Sequence, residues 1–212
     1  MDTGQRVVEA MAAGIEGDIA KGMSFICPAI EATVRKTLKK SKVSASEYKD
    51  FVRENYWVIE PFIGSGMNFE ETVFPEITLK TDNGRIIPKP DFADLVYNVF
   101  RCSLMHGHEI SEEFTFTKSE TQGSSVWAIS LEDGHIHMPD KVLWALVACV
   151  VFNKVNHDIV TKTSLHLSWG GAPVERDPPY RFELDVFWGG ESVVRRFLSK
   201  REILRVAMKL AK

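Results

Sequence analysis

Residues 91–107 read DFADLVYNVFRCSLMHG, and this stretch decides the fold. Its apolar residues Phe92, Leu95, Val96, Val99, Phe100 and Leu104 recur at intervals that line one side of a helix. Asp91 stands where an N-cap belongs, with a side-chain oxygen for the unpaired amides of the first turn. Gly107 suits the position just past the last turn. Arg101 and His106 fall late in the same helix, five residues apart. A one-sided apolar stripe needs partners, and the flanking sequence supplies them.

Upstream, Ile15, Ile19, Met23, Ile26, Ile30, Val34 and Leu38 repeat every three or four residues, the mark of one buried helical stripe. Pro28 interrupts it and is expected to kink the helix or split it in two. Lys39 and Lys40 close the segment, favourably placed beside a helix C-terminus. Ser44 or Ser46 then caps a second helix with Tyr48, Phe51, Val52, Tyr56 and Ile59 on its apolar side, ended by Pro61 and Gly64-Ser65-Gly66. Residues 67 to 90 read as an insertion. Within it, residues 77–87 form a short hairpin around Asp82-Asn83-Gly84, terminated by Pro88 and Pro90.

Downstream the period changes. Phe114 to Thr117 and Ser125 to Leu131 read as strands, and Asp133-Gly134 turns tightly into His135 to Met138. Pro139-Asp140 opens a strongly apolar helix, Val142 to Val155. Two more strands lie around Ser164 to Ser168 and Tyr180 to Trp188. Gly189-Gly190 turns into Ser192 to Phe197, and a basic amphipathic helix runs from Lys200 to Lys212. The fold class is therefore α+β, a single domain over 1–212. A helical part over about 15–110 carries the inserted hairpin, and about 111–212 holds a small antiparallel sheet with two further helices.

Composition narrows the class. The chain has 212 residues, 44% apolar and 26% charged, which excludes a disordered chain, a coiled-coil rod and a membrane bundle. A net charge of −3 gives no global field for nucleic acid, so a polyanion partner would need a local basic groove. Cys27, Cys102 and Cys149 are widely spaced among apolar neighbours, as buried reduced thiols are. The first residues resemble no targeting signal, and the longest apolar run, Val142 to Phe152, is far shorter than the roughly 20 residues of a membrane helix. The reading is a cytoplasmic protein with no membrane partner.

The motifs of P-loop nucleotide hydrolases, dinucleotide oxidoreductases, α/β-hydrolases and zinc proteases are absent from the sequence. What stands out is Tyr97-Asn98-Val99-Phe100-Arg101-Cys102-Ser103-Leu104-Met105-His106-Gly107. It resembles the R-x(4–6)-H motif of the HEPN superfamily, helical bundles that carry the motif near the end of a core helix. The resemblance extends to Ser24-Phe25-Ile26-Cys27-Pro28-Ala29-Ile30-Glu31-Ala32, similar to the family's opening helix, and to the Phe-x-x-x-x-Tyr pattern of Phe51 and Tyr56. It covers about residues 15–110.

The resemblance implies a metal-independent endoribonuclease of the toxin–antitoxin or phage-defence type, with Arg101 and His106 catalytic and no cofactor. Arginine stays charged and grips two phosphate oxygens at once, while histidine titrates near neutrality and can move the proton. On an ideal α-helix, residues five apart point about 140° from each other. The two side chains therefore share a site only if the helix unwinds or a second subunit completes it. The family's habit of facing motifs implies a homodimer, with RNA or a nucleotide as ligand and an antitoxin protein as a further partner. Active members usually carry Asn, Asp or His directly after the arginine, where this chain has Cys102. The alternative is thus a catalytically inactive module binding RNA, a nucleotide or a protein.

Three further groups stand out in the sequence. His106-x-His108 and His135-x-His137 have the alternation of a strand-borne metal site, yet the reading assigns no metal ligand. Trp127, Trp169, Trp188, Phe187 and Tyr180 are sheet packing before they are stacking surfaces for bases. Arg195, Arg196, Lys200, Arg201 and Arg205 form a basic cluster best read as a solvated helix face.

Overall fold

The computed structural model describes residues 1–63, 68–81, 84–102, 114–118, 129–132, 135–163, 165–169 and 180–198. The chain is a mixed α+β protein that divides into two compact units, residues 1–150 and 151–212.

The first unit opens with α1 (Thr3–Ile15) and α2 (Ile19–Leu38), which pack as a helical hairpin. Asp2 caps α1 through the Gln5 amide, and Asp18 caps α2 through the Lys21 amide. The break between them falls at Gly17, whose φ of +82° a side chain would strain. Pro28, expected to kink or split the stripe, lies inside an uninterrupted α2. Ile26, Cys27, Ala29 and Ile30 around it have no exposed surface. That packing outweighs the one hydrogen bond the ring removes. Ile15, assigned to the stripe, ends α1 instead, and both it and Leu38 at the other end of the stripe are exposed.

Helix α3 (Ala45–Glu54) begins at Ser44, which forms a capping box with Glu47. It gives way at Asn55 to α4 (Tyr56–Ile63), which contains Pro61. Tyr48, Phe51, Val52, Tyr56 and Ile59 are all buried, as their spacing predicts. The hairpin pairs β1 (Thr78–Lys80) antiparallel with β2 (Ile86–Pro88), Thr78 opposite Pro88. Residues 64–67 and 82–83, at the expected helix end and turn, lie outside the described residues.

The segment that decides the fold starts as read: Asp91 and Asp94 form a capping box for α5 (Phe92–Leu95). From Val96 to Cys102 it is a π-helix rather than a continued α-helix. Asn98 donates its side-chain amide to the Asp94 carbonyl at 2.8 Å, competing for the acceptor of an α-helical turn. The winding relaxes to hydrogen bonds five residues apart. Phe100 stacks on Phe116 and meets Phe114 edge-on, with ring centroids 5.5 and 6.2 Å away.

Phe114 and Phe116 belong to β3 (Phe114–Thr117), which with β4 (Ser130–Glu132) and β5 (His135–Pro139) forms a sheet of order β3-β5-β4. The expected antiparallel sheet needs correction. β4 and β5 are antiparallel, but β3 runs parallel to β5. Chain neighbours usually pair in space, and here β5 enters between β3 and β4. Helix α6 (Lys141–Phe152) is apolar almost all round, as suits a core helix. Its Leu143 and Trp144 lie against Gly14 and Gly22. A Cβ on Gly22 would stand 2.5 Å from Leu143 Cδ2, so glycine permits the close approach.

The second unit carries β6 (His166–Trp169) paired antiparallel with β7 (Tyr180–Glu183), the short α7 (Leu184–Phe187), and α8 over residues 191–198. The strand expected from Tyr180 to Trp188 therefore stops at Glu183 and continues as helix. Thr161 Oγ1 donates to Asp185 at 2.8 Å and accepts from Trp188 Nε1 at 3.2 Å, tying α7 down. The expected helix from Lys200 to Lys212 lies outside the described residues.

Candidate functional site

Three elements of the first unit, α2, α3 and the π-helix, meet around Arg101. Helix α2 buries Cys27 and Ile30 and presents Glu31 beside them, half-buried. Helix α3 buries Tyr48, whose hydroxyl donates to the Cys27 carbonyl at 3.4 Å. The π-helix buries Val96, Val99 and Phe100, leaving Tyr97 and Arg101 on the side toward α2 and α3. The rings of Tyr48 and Tyr97 meet edge-on, centroids 5.4 Å apart.

The Arg101 guanidinium donates through Nη2 to Glu31 Oε2 at 3.0 Å, and both side chains are 24% exposed. It also lies over the Tyr97 ring, 5.4 Å from the centroid, which favours the cation. Burial works against the charge, but the Glu31 hydrogen bond and its neighbours outweigh it and hold the guanidinium above its ordinary range. Burial pushes the Cys27 thiol up to about 12, and burial raises the Tyr48 and Tyr97 hydroxyls too. At neutral pH the cluster therefore holds protonated thiol and phenol groups around the Arg101 cation. Its one cation is paired with Glu31, and burial of Cys27 keeps its thiol from acting as a nucleophile.

Of the two expected catalytic residues, Arg101 sits in this cluster and His106 lies outside the described residues, as do His108, Gly107 and Leu104. His135 and His137 alternate on β5, His137 opposite both Ser130 and Thr115. Among the described residues no three His, Cys, Asp or Glu side chains converge as a metal site would require. Trp169 and Tyr180 are opposite in the β6–β7 ladder, Trp188 is buried, and Trp127 lies outside the described residues. Arg195 pairs with Glu191 at 2.8 Å, whereas Lys200, Arg201 and Arg205 lie outside them as well. None of the three cysteines forms a disulfide; Cys27 and Cys149 are buried and Cys102 is half-buried. No helix among the described residues is long and apolar enough to cross a membrane.

Sequence reasoning gave Glu31, Tyr48 and Tyr97 no part in the site. Glu31 is seventy positions from Arg101, and no local pattern announces such a pairing.

Comparison with known proteins gives the lineage. The chain is 25% identical over 188 residues to the uncharacterized protein Rv1289 of Mycobacterium tuberculosis (strain ATCC 25618 / H37Rv), covering 88% of this chain and 82% of the relative. The same figures hold for the uncharacterized protein Mb1320 of Mycobacterium bovis (strain ATCC BAA-935 / AF2122/97). No solved structure matches. The family model described as Rv1289 matches residues 2–212, and the chain belongs to the Rv1289 family.

Proposed function

We propose that this chain is a HEPN-type protein, its N-terminal helices forming the family's bundle with an inserted hairpin, and that it cleaves RNA without a metal ion. The observation that carries the reading is the placement of Arg101. A permanently charged guanidinium is fixed on a π-helical segment by one carboxylate and one ring, partly exposed, five residues before His106. Isolated π-helical turns in helices concentrate at functional sites.

In the proposed reaction the ribose 2′-hydroxyl gives up its proton and attacks the adjacent phosphorus. The bond to the 5′-oxygen breaks, and that oxygen takes a proton. Arg101 stabilises the charge gathering on the phosphoryl oxygens, and His106 transfers the proton. The products are a 2′,3′-cyclic phosphate and a 5′-hydroxyl. The protein acts as a two-fold homodimer with the motifs of both copies facing one cleft.

The test is cleavage of labelled RNA by the purified protein in excess EDTA, with product ends identified. Arg101→Ala and His106→Ala are each expected to slow cleavage about 10²–10⁴-fold. Cleavage by His106→Ala at the wild-type rate would sink the reading. One specific observation favours a second reading, a catalytically silent module that binds RNA, a nucleotide or a protein. Arg101 already has a carboxylate partner at 3.0 Å, and Cys102 follows it. In that case wild type and both variants leave RNA intact.

A further inference from the structure

The last turns of α2 and the residues after it read Arg35-Lys36-Thr37-Leu38-Lys39-Lys40-Ser41-Lys42, five cations and no carboxylate in eight residues of a chain with net charge −3. All eight are exposed. The helix ends at Lys39, whose φ of 53° is left-handed, a conformation glycine adopts without strain and lysine does not. The Lys39 and Lys40 amides both turn back to the Arg35 carbonyl. This reversal leaves a shallow, open concavity of about 490 Å³ lined by Ala32, Arg35, Lys36, Lys39, Lys40 and Ser41. Favourable charge at a helix C-terminus accounts for a cation or two in the last turn. It does not account for five around a hollow. Lys40 pairs with Glu47 of α3.

The hollow stands in line with the Arg101 cluster. Glu31 and Arg35 lie one turn apart on the same face of α2, and Lys39 caps the helix just beyond them. Glu31 is the residue that holds Arg101. From Glu31 to the cap at Lys39 the axial rise is about 12 Å. An open hollow lined by lysine, arginine, serine and one alanine offers no apolar floor for a hydrophobic peptide and too little enclosure for a small molecule. It suits an extended polyanion whose phosphates meet successive cations.

We infer that the hollow at the C-terminal end of α2 carries the backbone of single-stranded RNA toward Arg101, with phosphates against Arg35, Lys36 and Lys39. The inference rests on the ribonuclease reading for the identity of its polyanion, and its failure is separable from that reading's.

The experiment uses the full chain carrying His106→Ala, a fluorescein-labelled, unstructured 20-nucleotide RNA, and anisotropy at several salt concentrations. Arg35→Gln/Lys36→Gln/Lys39→Gln is added to that background. A control triple, Lys80→Gln/Lys89→Gln/Lys162→Gln, makes the same change in net charge elsewhere. The α2 triple is expected to weaken binding at least 10-fold at about 0.1 M salt and to lower the slope of log K against log salt by about 2, near 0.7 per lost phosphate contact. The control triple is expected to stay within about 2-fold. Equal loss in both triples, no loss in either, or equally effective competition by poly-glutamate would overturn the inference. In the chain with His106 intact, the α2 triple raises KM and leaves kcat unchanged. RNA cleavage with binding indifferent to the α2 triple removes the groove and keeps the ribonuclease. Groove-dependent binding without cleavage does the reverse, and no RNA binding by the His106→Ala parent overturns the groove outright.

Discussion

The segment from Asp91 to Cys102 is held by charged groups at both ends, and the two ends are built differently. At its start, Asp91 and Asp94 cap each other's amides, and α3 sends two cations onto them. Lys49 reaches Asp94 at 2.9 Å, and Arg53 reaches Asp91 at 2.7 Å while also holding Asp50 at 2.9 Å. At its end, Arg101 has Glu31 at 3.0 Å and the Tyr97 ring beneath it. The first network closes on itself and satisfies the amides of a helix start, which is work for stability. The second caps nothing; it fixes the position of one cation. Similar residues at two ends of one helix thus divide into a fastening and a presented charge.

The largest effect is expected at the core residue that joins the π-helix to the sheet. Phe100 has no exposed surface and stacks on Phe116. Phe100→Ala is expected to cost about 3–5 kcal/mol in urea unfolding, the usual range for a buried phenylalanine. A loss below about 1 kcal/mol would mean that the Arg101 end is not anchored by this packing, and the contrast between the ends would need another basis.

The fastening is expected to come next. Burial alone would raise the Asp94 carboxyl, but the hydrogen bond and charge of Lys49, the Asp91 amide and Arg53 outweigh it, so its pKa lies below the ordinary range. The folded state then binds fewer protons than the unfolded state, and stability rises with pH over the interval between the two pKa values. The contribution is complete above the unfolded value of about 3.9 and is lost as pH falls through the lower folded value. Asp94→Asn is expected to cost about 2 kcal/mol at pH 7, in line with hydrogen bonds to charged groups. It should also flatten the acid limb of stability measured from pH 7 to pH 3. An unchanged acid limb would show that Asp94 is not the linked group.

How far these two ends were legible in the sequence follows from the distance each interaction spans. The Asp91 cap and the buried stripe of Ile19, Met23, Ile26, Ile30 and Val34 are local patterns and were read correctly. So were the hairpin and the apolar helix α6. The π winding was missed because α and π turns tolerate the same apolar spacing. What separates them here is a single amide, that of Asn98 on the Asp94 carbonyl. The parallel pairing of β3 with β5 was missed because a strand inserted between two others leaves no mark on their alternation. Pro28 does not split α2, because the packing around the ring offsets the one hydrogen bond it removes, and a rule about that bond cannot register the packing. Glu31 was invisible as a partner because its charge is matched by a residue seventy positions away.

Glu31 gives the smallest expected effect and the sharpest test of the contrast. Its pair with Arg101 is partly exposed, and Glu31→Gln keeps an oxygen to accept the Nη2 hydrogen bond, so the stability cost is expected to be below about 1 kcal/mol. Asp94→Asn removes a carboxylate that faces both Lys49 and Arg53, 2.9 and 3.9 Å away, and should cost at least twice as much in the same urea titration. If the order reverses, the Arg101 pair is itself a fastening between α2 and the π-helix. A guanidinium needed to hold two helices together is not free to turn its charge toward a phosphate, and the silent binding module would then be the better account of this site.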